Sequence, residues 1–446
     1  MNFYNNAIKN LWQWVHVSDS LLTANWVTSL TRYHQIFVGY SGGLDSTVLM
    51  HCLAQEPSLA QKIIAVHINH GLSANALHWQ NHCLHLCQTL SIPLFAEAVT
   101  FSRQANIEEE ARKARYEVFA SLMTEEDCLV LGHHLDDQAE TLLLQLFRGA
   151  GINGLGAMLE QKDFAKGQLL RPLLGYSRRE LEDYALSQKL SWVDDESNQN
   201  PSYSRNYLRH QILPQLGQRW PGIVNNLVRT SQLCQKASRN LAALATLDCP
   251  ALKQATTSLS FVNFKHLEEE RIANILFFWL KSNQVKIPSA LLIERIIHEV
   301  IQAKEDAIPL LQWKDFSIRR YQQTLYLQMK EKEDFTLSLP WSSFPKPLPL
   351  PGLGELLVEK RDKGLIVPKD AKLKVSFRQG GELFHWRGQT KQLKKLWQEW
   401  KTPPWLRDKI PLLYINEQLA AVIGYAINDT FYGEEHQNSY LIRLSS

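Results

Sequence analysis

Residues 36–50 read IFVGYSGGLDSTVLM. Ile36, Phe37 and Val38 predict a short buried strand, the run from Gly39 to Gly43 breaks it, and a helix starting near Asp45 turns Val48, Leu49 and Met50 inward. A strand, a small-residue loop and a helix start in series make an anion cradle. Ser41, Gly42 and Gly43 lack bulk, so their backbone N–H groups have room to close on a phosphate, and the new helix adds the positive end of its dipole. A Walker A loop would place Lys directly after its glycines. None follows here, so the usual kinase or GTPase assignment fails.

The 446 residues suggest two or three domains, and a hydrophobic content of 45% is that of an ordinary globular protein. The opening MNFYNNAIKNLWQWVH has neither the basic start nor the apolar core of a signal peptide, and ILFFWL at 275–280 is too short to span a bilayer. A cytoplasmic protein with no membrane partner is expected. The six cysteines (52, 83, 87, 128, 234 and 249) contain no CxxC pair and are expected as reduced core residues. Charge is uneven: residues 1–200 hold 14 basic and 22 acidic side chains, residues 201–446 hold 34 and 23. A polyanion touching the second half suits that distribution.

Along the chain, KIIAVHINHGL (62–72) reads as a parallel strand that stops at His67, Asn69 and His70, where ligands sit in an open α/β sheet. In ALHWQNHCLHLCQTL (76–90) the histidines at 78, 82 and 85 share one helical face while Cys83 and Cys87 point to the core, so the two sets do not converge on a metal. IEEEARKARY (107–116) starts a helix with Arg112, Arg115 and Tyr116 on one side, either salt-bridged at the surface or aimed at phosphate or RNA. In CLVLGHHLDDQAETLLLQLFRGAG (128–151) a buried strand ends in Gly-His-His, and a helix begins with Asp136, Asp137, Glu140 and Thr141 on its first turns. Those acids suit Mg2+ or an ammonium group. Gly149, Gly151 and Gly154 spell GxGxxG but follow a helix rather than a strand, which excludes a dinucleotide site; Arg148 beside them is a candidate phosphate contact. Ser177 and Glu180 form a capping box. The polar run from Asp194 to Ser204 is a candidate lid leading into a helix with Arg205, Asn206 and Arg209.

SGGLDS (41–46) resembles the PP-loop of the N-type ATP pyrophosphatases, which cut ATP between its α and β phosphates. The ordered set SGGLDS, HINHGL, EEEARKARYE, GHHLDDQAET, RGAG, RPLL and DDESNQNPSYSRNYLR across 41–209 closely resembles the tRNA(Ile)-lysidine synthetase family, as does the segment from Phe377 to Gly424. Ser73 departs from the basic residue expected after HINHGL. The resemblance implies an α/β fold with four parts. An N-terminal parallel-sheet PP-loop (Rossmann-like) catalytic domain (1–215) would be followed by a helical tRNA-binding domain (216–330). A proline-rich linker (331–354) and a small α+β C-terminal tRNA-binding domain (355–446) would complete the chain.

The implied activity adenylates the C2 oxygen of the wobble cytidine in the CAU anticodon of tRNA(Ile), releasing pyrophosphate. Free L-lysine then displaces AMP to leave lysidine, which changes the codon read from AUG to AUA. On that resemblance Ser41, Gly42, Gly43, Leu44, Asp45 and Ser46 would bind ATP, Asp45 and Asp137 would hold Mg2+, and Arg112, His133 and Arg205 would stabilise the adenylated base. Asp137, Glu140, Arg115, Arg148, Asn206 and Arg209 are the candidate substrate contacts, with the division of Asp137 and Glu140 between metal and lysine left open, as is a homodimer. A tRNA thiolase would need the cysteine pairs that the sequence lacks. A non-catalytic RNA-binding relic would have no use for Asp45, His133, Asp137 and Glu140 together.

Overall fold

Strands that are apolar on both faces need helices on both sides, and the N-terminal half is built that way. The computed structural model describes residues 20–71, 75–101, 107–194, 196, 200–285, 290–305, 307–329 and 338–445, with the backbone alone at 108 and 434–438. Two units divide the chain after Leu244. Residues 1–19 lie outside the described residues, and the first described helix, α1 (Ala24–Leu30), starts at its N-cap Thr23.

The first unit alternates strands and helices: β1 (Ile36–Gly39), α2 (Leu44–Ala54), β2 (Ile63–Asn69), α3 (Ala76–Thr89), β3 (Leu94–Ala98), α4 (Ile107–Leu122), β4 (Cys128–Val130), α5 (Leu135–Phe147), a short turn of helix α6 (Ile152–Leu155), the hairpin β5 (Gln161–Phe164) and β6 (Gly167–Leu170), and α7 (Arg178–Ser187). The sheet order is β3-β2-β1-β4-β6-β5, parallel except for the edge strand β5. Successive side chains alternate between faces. Ile36, Val38, Cys128 and Val130 therefore join one core with Leu49, Met50, Leu53, Leu181 and Tyr184, while Phe37 and Leu129 join Phe119, Met123 and Leu169 in another. Cys83 and Cys87 are buried in the first core, as their helical stripe predicts.

Chain order reverses at β1: β2 and β3 lie on one side of it and β4 on the other. Ligands of open α/β sheets collect beyond the carboxyl ends of the strands at such a reversal. The PP-loop after β1 and the Gly-His-His segment after β4 both fall there. Beyond α7 the chain returns through α8 (Ser204–Tyr207), a π turn (Leu208–Ile212) and α9 (Leu213–Arg219) into the long helix α10 (Ile223–Asp248).

The second unit departs from the sequence reading in two places. Residues 216–330 were expected to be helical, yet beyond α10 they also hold an antiparallel sheet in the order 258–260, 324–329, 316–321, 310–313, packed on helices through Phe264, Ile275, Leu276, Trp279, Ile318 and Leu325. Its hairpins turn on Lys314 and Gln322, both at positive φ (44° and 54°) and neither followed by the Gly that advertises such turns. The stretch 331–354, expected as a stiff linker, is folded over 338–354. Trp341 is 1% exposed and donates its indole N–H to the Lys346 carbonyl at 2.9 Å, and Leu350 is buried beside it in the C-terminal core. Short strands at 339–340 and 348–350 pair at sheet edges, where a proline's missing N–H leaves no ladder bond unmade. The remaining C-terminal residues form further antiparallel sheets and a helix (Leu393–Glu399) that buries Leu393, Leu396 and Trp397. Lys394 and Lys395 ride that helix; Lys391 lies on the preceding strand, paired with Glu399 at 2.8 Å.

Candidate active site

The PP-loop is held open by its own side chains. Ser46 Oγ donates to the Gly43 carbonyl at 3.0 Å and accepts from the Ser41 N–H at 3.3 Å, and Thr47 Oγ1 donates to the Gly42 carbonyl at 3.3 Å. Gly42 sits at φ +84°, and a Cβ there would stand 2.9 Å from the Cys83 sulfur, so both conformation and space require glycine. Leu44, Asp45 and Ser46 form the first turn of α2, whose N–H groups have no carbonyl one turn back within the helix. From behind, Val193 N–H donates to the Gly42 carbonyl at 2.9 Å.

Opposite the loop, β4 delivers Gly132, His133 and His134. Gly132 passes so close to α2 that a Cβ on it would lie 2.8 Å from the Asp45 carbonyl oxygen. This approach brings the two strand ends into one site. His134, fully buried, stands within 3.6 Å of Asp45 Oδ2 and 3.5 Å of both Asp136 and Asp137. Burial alone would push its imidazole down, but the three carboxylates outweigh burial and hold it above its ordinary value. Arg178, at the start of α7, adds a guanidinium 3.5 Å from Asp45, and its backbone N–H donates to Asp136 at 2.8 Å, tying the N-termini of α5 and α7 together.

A second set of charges links α5 to the helices after the polar loop. Arg209 donates to both oxygens of Glu140, at 2.6 and 3.0 Å, and to Asp137 at 3.0 Å, while Arg205 Nε stands 3.3 Å from Glu140 and its Nη2 donates to Thr141 at 2.9 Å. Glu140 is fully buried. Burial pushes it up against the pull of Arg209, and Arg209 is itself held above its ordinary value by Glu140 despite burial. Burial also works to raise Asp137, but His134, His133, Arg205 and Arg209 together bring it below the usual carboxylate range.

A third set lies under His133. Arg171 Nε donates to His133 Nδ1 at 3.1 Å, and Arg112 stacks over Tyr116 at 4.9 Å while donating to its hydroxyl at 3.3 Å. Burial, reinforced by Arg171, Arg205 and Arg112, pushes His133 down to about 3 against the pull of Asp137.

Similarity to known proteins fits this geometry. The PP-loop domain family matches residues 18–216, the TilS substrate binding domain residues 259–326 and the TilS substrate C-terminal domain residues 373–444. The chain is 52% identical over 417 residues to a tRNA(Ile)-lysidine synthase of Legionella pneumophila, covering 93% of this chain and 96% of that one. It belongs to the tRNA(Ile)-lysidine synthase family. Two further synthases, from Coxiella burnetii and Escherichia coli O157:H7, are 40% and 41% identical; they cover 94% and 89% of this chain, and it covers 96% and 93% of theirs.

The expected site residues of this tRNA(Ile)-lysidine synthase family member separate by place. Asp45, His133, Asp137, Glu140, Arg205 and Arg209 converge at the strand ends beside Ser41 to Ser46. Arg112 and Arg115 flank Tyr116 on α4, close enough for Arg112 to repel a proton on His133. Asn206, expected as a substrate contact, turns inward: its amide donates to the Asn200 carbonyl at 2.9 Å and fastens the polar loop. Arg148 caps the far end of α5, about 17 Å along the helix from Asp137 at ~1.5 Å per residue, and faces solvent away from the acids. His67 donates to the Tyr40 carbonyl at 3.0 Å as a core residue. Sequence reasoning missed His134, Arg171 and Arg178 as members of the site; RPLL and SRRE carry the two arginines, but their destinations depend on how β6 and α7 dock.

Proposed function

We propose that this chain ligates L-lysine to C2 of the wobble cytidine in the CAU anticodon of tRNA(Ile), with ATP consumed to AMP and pyrophosphate. The observation that carries the reading is a lysine-free PP-loop whose Asp45 meets Asp137 across His134 at the sheet reversal, in a chain 52% identical to a synthase of that name. In the first step the cytidine C2 oxygen bonds to the α-phosphorus and the bond between α-phosphorus and bridging oxygen breaks. In the second, the lysine ε-amine bonds to C2 and the C2–oxygen bond breaks, releasing AMP and a proton.

The residues divide this work. The first-turn amides of α2 and the loop glycines hold the outgoing pyrophosphate in line. Asp45 Oδ1 is buried without a hydrogen-bond partner among the described residues, which fits a carboxylate made to face a cation, and Asp137 is its neighbour across His134. These two acids would hold Mg2+, an ion that takes few protein ligands and neutralises charge on transferring phosphates. Arg205, Arg112 and His133 would stabilise the adenylated base, and Arg115 and Arg148 would meet RNA phosphates. Asp137 or Glu140 would orient the lysine amine, and Arg209 engages both acids in this structure.

Residues 1–215 would carry catalysis, with 216–330 and the C-terminal fold holding tRNA through basic faces and RNA shape. The test incubates the full chain with ATP, lysine and a CAU-anticodon transcript. AMP, pyrophosphate and a lysine-sized mass gain on one cytidine are expected; ADP and orthophosphate would overturn the reading. Asp45→Ala should abolish pyrophosphate release while tRNA binding survives, and loss of both together would refute its assigned role.

A further inference from the structure

Arg171 is the first residue beyond β6, and His133 lies just beyond β4, the parallel neighbour of β6. The arginine is 3% exposed. Besides the bond from Nε to His133 Nδ1, its Nη1 donates to the Leu159 carbonyl at 2.6 Å, so two bonds orient the guanidinium, and its backbone N–H donates to the Glu160 carbonyl at 2.8 Å. A guanidinium carries only N–H donors and stays protonated. The ring nitrogen it meets must therefore supply a lone pair. A neutral imidazole has one such nitrogen, which places the single proton of His133 on Nε2. That nitrogen has no protein partner among the described residues and is not sealed from solvent.

We infer that Arg171 is a positioning residue: it fixes His133 as the neutral Nε2–H tautomer and so presents a hydrogen-bond donor, not a base, to the oxygens exchanged between ATP and cytidine. This rests on the proposed placement of His133 at the reaction. The charged groups around the ring agree with it. Arg171, Arg205 and Arg112 repel a second proton, against the pull of Asp137. A donor aimed at oxygens that gain charge in the transition state stabilises them without giving up its proton. The proton released by the lysine amine then leaves through a group other than His133.

A double-mutant cycle on the full chain tests this, using Arg171→Met, Arg171→Lys, His133→Ala and the Arg171→Met/His133→Ala pair. Arg171→Met should lower kcat by about tenfold to a hundredfold with KM for ATP little changed, less than the roughly ten-thousandfold seen when a triad histidine loses its orienting group, because no proton transfer is lost. Arg171→Lys, which keeps a cationic donor, should recover part of the rate. In the His133→Ala background Arg171→Met should cost almost nothing more, since non-additivity marks residues that act through one another. Nitrogen-15 histidine spectra of the wild-type chain, with His133 assigned by its disappearance in His133→Ala, should show the Nε2–H tautomer. Equal losses from Arg171→Met in both backgrounds would make Arg171 a structural residue, and a wild-type His133 protonated on Nδ1 would overturn the inference alone. A fully active His133→Ala chain would remove the reading of the site, and with it any part for Arg171 in the reaction.

Discussion

Replacing Gly132 with Ala tests whether the close approach of β4 to the PP-loop helix governs the site. The added Cβ would stand 2.8 Å from the Asp45 carbonyl oxygen, 3.0 Å from the Asp45 carbonyl carbon and 3.2 Å from the Ser46 nitrogen. All three are backbone atoms of the first turn of α2, so no rotamer change relieves them. Restoring a 3.4 Å contact asks that turn to retreat by about 0.6 Å, while Val48, Leu49 and Met50, all at 0% exposure, hold the same helix in the core. Overpacking of this kind costs about 1–3 kcal/mol. At about 2–4 °C per kcal/mol for a domain of 150–250 residues, melting should fall by roughly 2–12 °C. The retreat also carries Asp45 and the loop amides away from the phosphates; with about a hundredfold in rate at stake for a 1 Å misplacement, pyrophosphate release should slow by about tenfold. Circular-dichroism melts and single-turnover pyrophosphate release with a CAU transcript measure the two effects. An alanine variant with wild-type melting and wild-type release would show that the contact does not set the geometry of the loop.

Arg209→Met leaves buried Glu140 with Arg205 alone, and breaking a buried pair from one side should cost about 3–5 kcal/mol in urea unfolding; a change below ~1 kcal/mol would mean that Arg205 and solvent already neutralise the acid. His134 is held above 6.5, so the stability it contributes is fully present below pH 6.5 and is withdrawn as pH rises through its raised value. The stability gap between the wild-type chain and His134→Asn should therefore shrink on going alkaline, and a gap independent of pH would refute a charged His134. Truncation after Met329 should weaken tRNA use far more than ATP binding, whereas a cut at 354 strands Trp341 and Leu350 from their core and should also leave aggregation-prone apolar surface. Unchanged tRNA affinity in the shorter chain would defeat the proposed role of the C-terminal fold.

The strand, loop and helix over 36–50 were legible because their signals are local: three apolar residues, small residues that admit a tight loop, and an inward-facing helical run. The gathering of Asp45, His133, Asp137, Arg205 and Arg209 was legible only through the order of motifs, since nothing within any one of them points to another. Arg171 and Arg178 escaped because their partners are set by register, β6 beside β4 and α7 against α2, which a single chain does not announce. The hairpins at Lys314 and Gln322 escaped for a local reason, positive φ without glycine. Prolines at 340, 345, 347, 349 and 351 suggested a linker, yet Pro340 and Pro349 lie in edge strands, which tolerate the residue on the same physical ground.

The grip of Arg205 and Arg209 on α5 couples two things that look separate. Both arginines sit on the short helical run that leads towards α10, and what they grasp is Glu140, Asp137 and the neighbouring Thr141. Any incoming cation drawn to Glu140 must take an oxygen away from a guanidinium that already has it. Arrival of such a guest and the seating of that helical run are thus two readings of one equilibrium, and the acids proposed for the chemistry double as the clasp of the arm that leaves them.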